Sequence, residues 1–253
     1  MTDVSVIVAA RDAAHTLGAC LDSLLALDHP SYEVLVVDNA SSDATRTVAS
    51  RRAGVRVLDE PRLGPAAARN TGLQAARGSV VAFTDADCVA DPAWLAELLR
   101  ALDGRDDRVA GGRILATRPA NYVERFGERV HDHQAALMRY DPPYAITMSW
   151  AMATPPAGAR RVFDEALLRG SDTDLSWRLH AAGWSFAYAP DAVIYHRNER
   201  TLRGLFAEGF THGRHGERVR DKHGIVVPRR RPKPPRSLPE AVFRLGTAAG
   251  RRL

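Results

Sequence analysis

Between residues 4 and 102 the chain alternates two hydrophobic patterns. Short, largely apolar runs at residues 4–9, 33–37, 55–58 and 79–83 predict strands. Between the first two, Leu17, Leu21, Leu24 and Leu25 recur every three or four residues, the stripe of an amphipathic helix. Ser42 and Asp43 can cap a helix running to about Arg52. Small residues over 64–76, closed by Gly78, predict another helix, and residues 92–102 a further one with Pro92 in its first turn. Strands that are apolar on both sides, with helices between them, imply an α/β fold whose mostly parallel sheet is flanked by helices. Ligands in such sheets sit at the carboxyl ends of the strands, where this chain carries Asp38, Asp85 and Asp87.

The second half is less regular. Residues 109–116 predict a strand with a bulge signal at Gly111-Gly112, 121–139 a helix, 146–153 a strand, 171–182 a helix ended by Gly183, and 192–195 a short strand. Glycines break up residues 201–224, which predict a partial helix at best. Prolines in PRRRPKPPR (228–236) predict an extended basic linker, and 238–253 a short amphipathic helix. There is no internal repeat.

Composition narrows the class. The 253 residues, 45% hydrophobic and 26% charged, suffice for a core without disulfide staples. The two cysteines, Cys20 and Cys88, lie far apart, which argues against a disulfide framework and for a reducing, cytoplasmic location. No run approaches the ~20 apolar residues of a membrane span, and no basic segment precedes the first strand as a signal peptide requires. The net charge of +5 is unevenly shared: residues 200–253 hold 14 Lys/Arg against 4 Asp/Glu, and residues 1–199 hold 21 against 26. With a mildly acidic body and a basic tail, the high pI says nothing of a basic cleft in the body, and a nucleic-acid partner is not expected.

The chemistry concentrates in Thr84-Asp85-Ala86-Asp87-Cys88. Carboxylates at i and i+2 after a strand project to the same side, roughly 7 Å apart at the backbone. They repel unless a cation or proton lies between them, and hard oxygen ligands suit Mg²⁺ or Mn²⁺. A polar turn is the competing reading of the same residues.

The ordered set of segments resembles the family 2 glycosyltransferases of the GT-A fold. The matching stretches are Ser5-Val6-Ile7-Val8 with Arg11, VVDNASSD (36–43), GPAAARNTG (64–72), FTDADC (83–88) and SDTDLSWRL (171–179), spanning about residues 3–200. The resemblance implies a catalytic domain over 1–225, with a nucleotide-sugar-binding half to about residue 116, an acceptor half over 117–225, and a basic tail over 226–253. It implies that Asp38 contacts the nucleotide base or ribose and that Arg69 and Arg11 lie at the donor nucleotide. It further implies that Asp87 is a metal ligand, that Asp85 is shared between metal and ribose or sugar, and that His196 completes metal or diphosphate binding. Asp172 matches the catalytic base. Where the family pattern has glutamate this chain has Ser171, read here as the cap of a helix whose first turn holds Asp172 and Asp174. Asp174 is assigned to structure.

Cys88 reads as a small packing residue. Trp150 is an acceptor-platform candidate, whereas Trp177 is assigned chiefly to the core. His131-Asp132-His133 carries a metal pattern without a supporting partner. The glutamine–arginine–tryptophan signature of processive synthases is missing, so one sugar per encounter is expected.

The expected reaction is metal-dependent, inverting transfer from a UDP-, GDP- or dTDP-linked sugar to a hydroxyl-bearing acceptor, whether glycan, lipid or small molecule. The alternatives are a degenerate nucleotide-sugar-binding scaffold, or a nucleotidyltransferase, which would want a Gly-rich phosphate loop near the start. A dehydrogenase would want GxGxxG where Ala9-Ala10-Arg11-Asp12 stands. The basic tail is expected either to be solvated or to make a peripheral contact with an anionic membrane face.

Overall fold

Val4–Ala10 (β1) is buried at every position but the half-buried Ala9, because its side chains feed two cores. Val4, Val6, Val8 and Ala10 point into one hydrophobic cluster and Ile7 into a second. The period of two places alternate residues on opposite faces, and here both faces are covered. The computed structural model describes residues 3–225 and 234–251.

Leu17–Leu24 (α1) lays Leu17, Cys20, Leu21 and Leu24 on the first face. Tyr32–Asp38 (β2), Thr45–Ser50 (α2) and Val55–Asp59 (β3) follow, then Pro65–Ala75 (α3), which packs on the second face. Val80–Asp85 (β4) runs into a three-residue strand, Cys88–Ala90 (β5), that the sequence pattern is too short to reveal. Trp94–Leu102 (α4) returns to the first face, where each fully buried side chain such as Leu95 or Leu98 is worth about 1.5–3 kcal/mol over exposure.

Arg108–Ala116 (β6) carries its register shift between Gly112 and Arg113, beside the expected bulge. The helix expected over 121–139 is two: Tyr122–Val130 (α5), opened by an Asn121 capping box, and His133–Met138 (α6). The break arises because Asp132 turns out of helical geometry and accepts a hydrogen bond from the Ala135 N–H, restarting the helix. Residues 147–149 form a 3₁₀ turn before Trp150–Ala153 (β7). Ser171–Ala181 (α7) leads to Ser185–His196 (β8), far longer than the expected 192–195. Its pairing with β6 passes from Ala189 to Val193, so Pro190 sits in a bulge where it breaks the sequence pattern but not the strand.

The eight strands form one sheet in the order β3-β2-β1-β4-β7-β6-β8-β5. It is a mixed sheet in which parallel pairing is the majority: four neighbouring pairs are parallel and three antiparallel. Since β7 is antiparallel to both β4 and β6, the two reversals cancel. Strands β6 and β8 therefore run in the direction of β1, β2 and β4, and the carboxyl end of β8 reaches the edge that holds Asp38 and Asp85.

Leu202–Lys222 (α8) is one continuous 21-residue helix, correcting the partial helix expected there. Its glycines serve contact with Leu238–Gly250 (α9). A Cβ on Gly213 would stand 2.1 Å from the Thr247 carbonyl oxygen, and one on Gly250 2.1 Å from that of Phe210. The contacts advance together, Gly209 with Phe243 and Gly213 with Thr247, so the two helices run side by side in the same sense. Val123, Phe126 and Leu205 form a third core beneath them. Residues 228–233 of the expected linker and the last two residues of the expected terminal helix lie outside the described residues.

Candidate functional site

Parallel pairing sets Ala10 opposite Asp38 and Ala9 opposite Asp85, so the exits of β1, β2 and β4 meet at one edge. A cleft of about 1440 Å³ opens there. Its floor includes Arg11, Asn39, Arg69, Asp85, Asp87 and His196, and Asp172 and Trp177 line it from α7.

The exit loops are braced by their own polar residues. The Asp12 carboxylate accepts from the Ser42 N–H (2.8 Å) and hydroxyl (3.0 Å), and the Ala14 N–H donates to Asp43 (3.0 Å). Asn39 donates to the Glu60 and Arg62 carbonyls and accepts from the Gly64 N–H (2.8 Å), which shapes the rim ahead of α3. Asp43 does not cap α2 as a side chain on the cap residue; that position is Ala44, and Asp43 accepts from the Thr45 N–H (2.9 Å) just inside it. Arg11 is exposed, its nearest acid being Asp12 at 3.5 Å. Asp38 is buried at the end of β2, and its Oδ1 has no hydrogen-bond partner. A buried carboxylate oxygen left unpaired costs about 1–3 kcal/mol or more, which a ligand N–H or O–H would recover.

Arg69 extends from α3 under the cleft. Its Nη2 lies 3.0 Å from Asp85 Oδ1 and its guanidinium 5.8 Å from the Phe163 ring centre. The adjacent Asn70 bonds both the N–H and the carbonyl of Phe163, locking residues 163–165 against α3. Burial raises the Asp85 carboxyl pKa; Arg69 opposes this and the Asp87 carboxylate adds to it.

Asp87 meets His196 because Cys88 and His196 are paired between β5 and β8. His196 Nε2 stands 3.4 Å from Asp87 Oδ2, and its Nδ1 contacts the Asn198 side-chain oxygen at 2.7 Å. Burial disfavours charge on both groups, yet their mutual attraction prevails: Asp87 is lowered and His196 is pushed up to about 9. Asp85 and Asp87, with the more deeply buried His196 imidazole beside Asp87, supply oxygen and nitrogen donors of the kind a divalent cation takes, although among the described residues the three donors that gather within 4.8 Å of one another are those of His131, Glu208 and His212.

On α7 the helix begins at Ser171 itself, and the cap position is Gly170 at φ 78°, correcting Ser171 as the cap. A Cβ at residue 170 would lie 2.9 Å from the Val219 side chain, so glycine serves both the turn and the contact. Asp172 is half-buried and accepts from the Thr173 N–H (2.8 Å). Asp174 is fully buried and spent on Lys222 (2.7 Å), His223 (2.9 Å) and Arg178 (2.9 Å). The two tryptophans exchange the places expected of them. Trp150 is core, packed on Phe83 and Phe163, whereas Trp177 lines the cleft with its Nε1 unpaired. The Cys88 thiol is buried and its pKa is raised by that burial.

Sequence reasoning missed Glu208 and His212, which share the cleft with His131. His133 is occupied by the Gly112 carbonyl and the Ile146 N–H, both at 2.8 Å. His131 instead turns to Glu208 (3.4 Å), and its ring lies 5.0 Å from that of His196. Burial holds His131 down at about 3 and, with Glu199, lifts Glu208 to about 7. The i, i+4 spacing of Glu208 and His212 is a signal only once the segment is known to be helical.

The sequence profile described as Glycosyl transferase family 2 matches residues 5–164. The glycosyltransferase AglE of Haloferax volcanii is 28% identical over 202 residues, 76% of this chain and 66% of that protein. The pre-mycofactocin glycosyltransferase of Mycobacterium tuberculosis is 32% identical over 222 residues, 83% of this chain and 46% of that protein. The chain thus spans between about half and two thirds of the length of these relatives. Among solved structures, the mannosyltransferase PcManGT of Pyrobaculum calidifontis, in complex with GDP-Man and Mn²⁺, superposes with a TM-score of 0.69 at 23% identity. That match covers 97% of this chain and 69% of the other. The fold is the GT-A fold.

Proposed function

The chain belongs to glycosyl transferase family 2, and we propose that it transfers a sugar from a nucleoside-diphosphate donor to an acceptor hydroxyl, one sugar per encounter, with inversion. The observation that carries this reading is the convergence of Asp85, Asp87, Arg69 and His196 on one cleft at one sheet edge. In the proposal Asp38 accepts a hydrogen bond from the donor's base or ribose, and Arg11 and Arg69 face its phosphates. Asp85, Asp87 and His196 would hold Mg²⁺ or Mn²⁺. When bound, such a cation supplies Lewis-acid neutralisation of the diphosphate as it departs.

Asp172 takes the acceptor proton. The acceptor oxygen bonds to the anomeric carbon from the face opposite the diphosphate, the bond to the diphosphate oxygen breaks, and the proton passes to the carboxylate. Asp172 stands in the first turn of α7, on the wall of the cleft. Trp177, on the next turn, offers a ring face to an acceptor sugar.

We further propose a reducing, cytoplasmic setting, resting on the free, buried Cys20 and Cys88, and a peripheral contact with anionic lipid through the tail. Leu238 and Leu245, seven residues apart on α9, are both exposed, and the helix follows an arginine-rich stretch in the sequence. No helix among the described residues is long and apolar enough to cross a membrane.

The test is release of nucleoside diphosphate from UDP-, GDP- and dTDP-sugars with Mn²⁺, Mg²⁺ or chelator, alongside nucleotide calorimetry. One donor base should bind in a cation-dependent manner and turn over. Nucleotide affinity indifferent to chelator would sink the proposal. For the tail, co-sedimentation with anionic vesicles should fall on deleting 226–253.

A further inference from the structure

The wall of the cleft beyond His196 holds three side chains that the proposed reaction does not use. His131 ends α5; Glu208 and His212 lie one turn apart on α8 and present their head groups on the same side. His131 Nε2 is 3.4 Å and His212 Nε2 3.9 Å from the same oxygen, Glu208 Oε1. The three ligating atoms all lie within 4.8 Å of one another.

A hydrogen-bonded trio does not account for these distances, since N–H···O bonds cluster at about 2.7–3.2 Å. A ligand polyhedron does. With metal–ligand bonds of about 2.0–2.2 Å, the donor atoms of a tetrahedral or octahedral site stand about 3.0–3.4 Å apart. The His131–Glu208 edge already has that length. The His212–Glu208 edge needs to close by about half an ångström, within reach of a side-chain rotation at the half-exposed His212.

We propose that His131, Glu208 and His212 form a second cation site, of two imidazoles and one carboxylate, that takes a Zn²⁺-class ion rather than Mg²⁺. Donor chemistry separates it from the aspartate site: two imidazole nitrogens with one carboxylate favour Zn²⁺, Co²⁺ or Ni²⁺, whereas a set dominated by carboxylates, two of them with one imidazole, suits Mg²⁺ and Mn²⁺. Three protein ligands leave a position open to water or to a ligand in the cleft. His131 Nδ1 has no hydrogen-bond acceptor, so the outer bond that tightens most histidine sites is missing. Affinity on the order of micromolar, not nanomolar, follows. The ion would join α8 to α5 and stand beside His196, whose ring is 5.0 Å from that of His131. This site is independent of the catalytic assignment: it stands on its own three donors.

The test is Zn²⁺ calorimetry and Co²⁺ visible absorption on the full chain, in wild type, Asp85→Asn/Asp87→Asn, Glu208→Gln and His212→Ala, each checked for folding by circular dichroism without metal. One Zn²⁺ should bind to wild type and to the double aspartate variant, excess Mg²⁺ should not displace it, and Co²⁺ should give ligand-field bands. Glu208→Gln and His212→Ala should each weaken binding at least about tenfold. His212 is half-exposed, so its substitution remains informative even should the Glu208 variant fail to fold. Absence of stoichiometric Zn²⁺ binding, or binding that survives His212→Ala and is lost in the aspartate variant, overturns the proposal.

Discussion

Cys88 is paired with His196 across the β5–β8 ladder, and that one pairing brings the imidazole Nε2 to 3.4 Å from the Asp87 carboxylate. Neither strand makes a ligand set alone. The short β5 lies directly after the two aspartates and the histidine ends β8, so the antiparallel register decides that they meet.

Asp87→Asn should therefore abolish cation-dependent nucleotide binding and lower kcat/KM by about 10²–10³-fold, the scale of losing one preorganised electrostatic contact. Calorimetry with Mn²⁺ and without it checks the binding half. Unchanged Mn²⁺ dependence would remove Asp87 from the site.

Asp172→Asn should separate turnover from binding. The carboxylate sits on α7, and its proposed task is proton removal alone. A fall in kcat of about 10²–10⁴ with donor affinity intact is expected, read from steady-state kinetics beside nucleotide titration. Equal losses in both would point to a donor-binding role instead.

Gly213→Ala should destabilise the protein, although alanine is the better helix former by about 1 kcal/mol. The added methyl would meet the Thr247 carbonyl oxygen at 2.1 Å, and backbone atoms do not swing aside as a flexible side chain does. Overpacking of about 1–3 kcal/mol should prevail, seen as a lower denaturant midpoint. Gly216, whose nearest neighbour is the mobile end of Arg220 at 3.5 Å, is the control: alanine there should be neutral or stabilising.

The rim loop should carry an acid-sensitive share of stability. Hydrogen bonds from Arg62 hold the Glu60 carboxyl down at about 2, against 4.5 for the free group. The depressed pKa means the folded state binds fewer protons than the unfolded one. Its contribution is fully present above about pH 4.5 and fades as pH falls toward 2. The difference in urea midpoint between wild type and Glu60→Gln should thus shrink across that window; a constant difference would show that the ion pair is not its source.

Much of the nucleotide-side fold is legible along the chain, and the reason is local. Strands β1, β2 and β4 are apolar without alternation because both faces are buried, so Val4–Ala10 and Val80–Asp85 announce themselves. Asp85 and Asp87 can be paired on sight because they are two residues apart. The second half fails where neighbours in space are remote in sequence. The glycines of Leu202–Lys222 read as helix breakers, yet they let α8 touch the backbone of α9. Trp150 and Trp177 look alike as residues; which is core and which faces the cleft depends on which strand or helix lies opposite.

The order of strands and helices on the nucleotide side and the placing of Asp85 and Asp87 together after β4 were set by the sequence, through short-range periodicity and spacing. The meeting of His196 with Asp87, and of His131 with Glu208 and His212, was decided only by the folded chain. Sheet register and helix crossing determine those distances, and both depend on how remote apolar faces bury each other rather than on any run of adjacent residues.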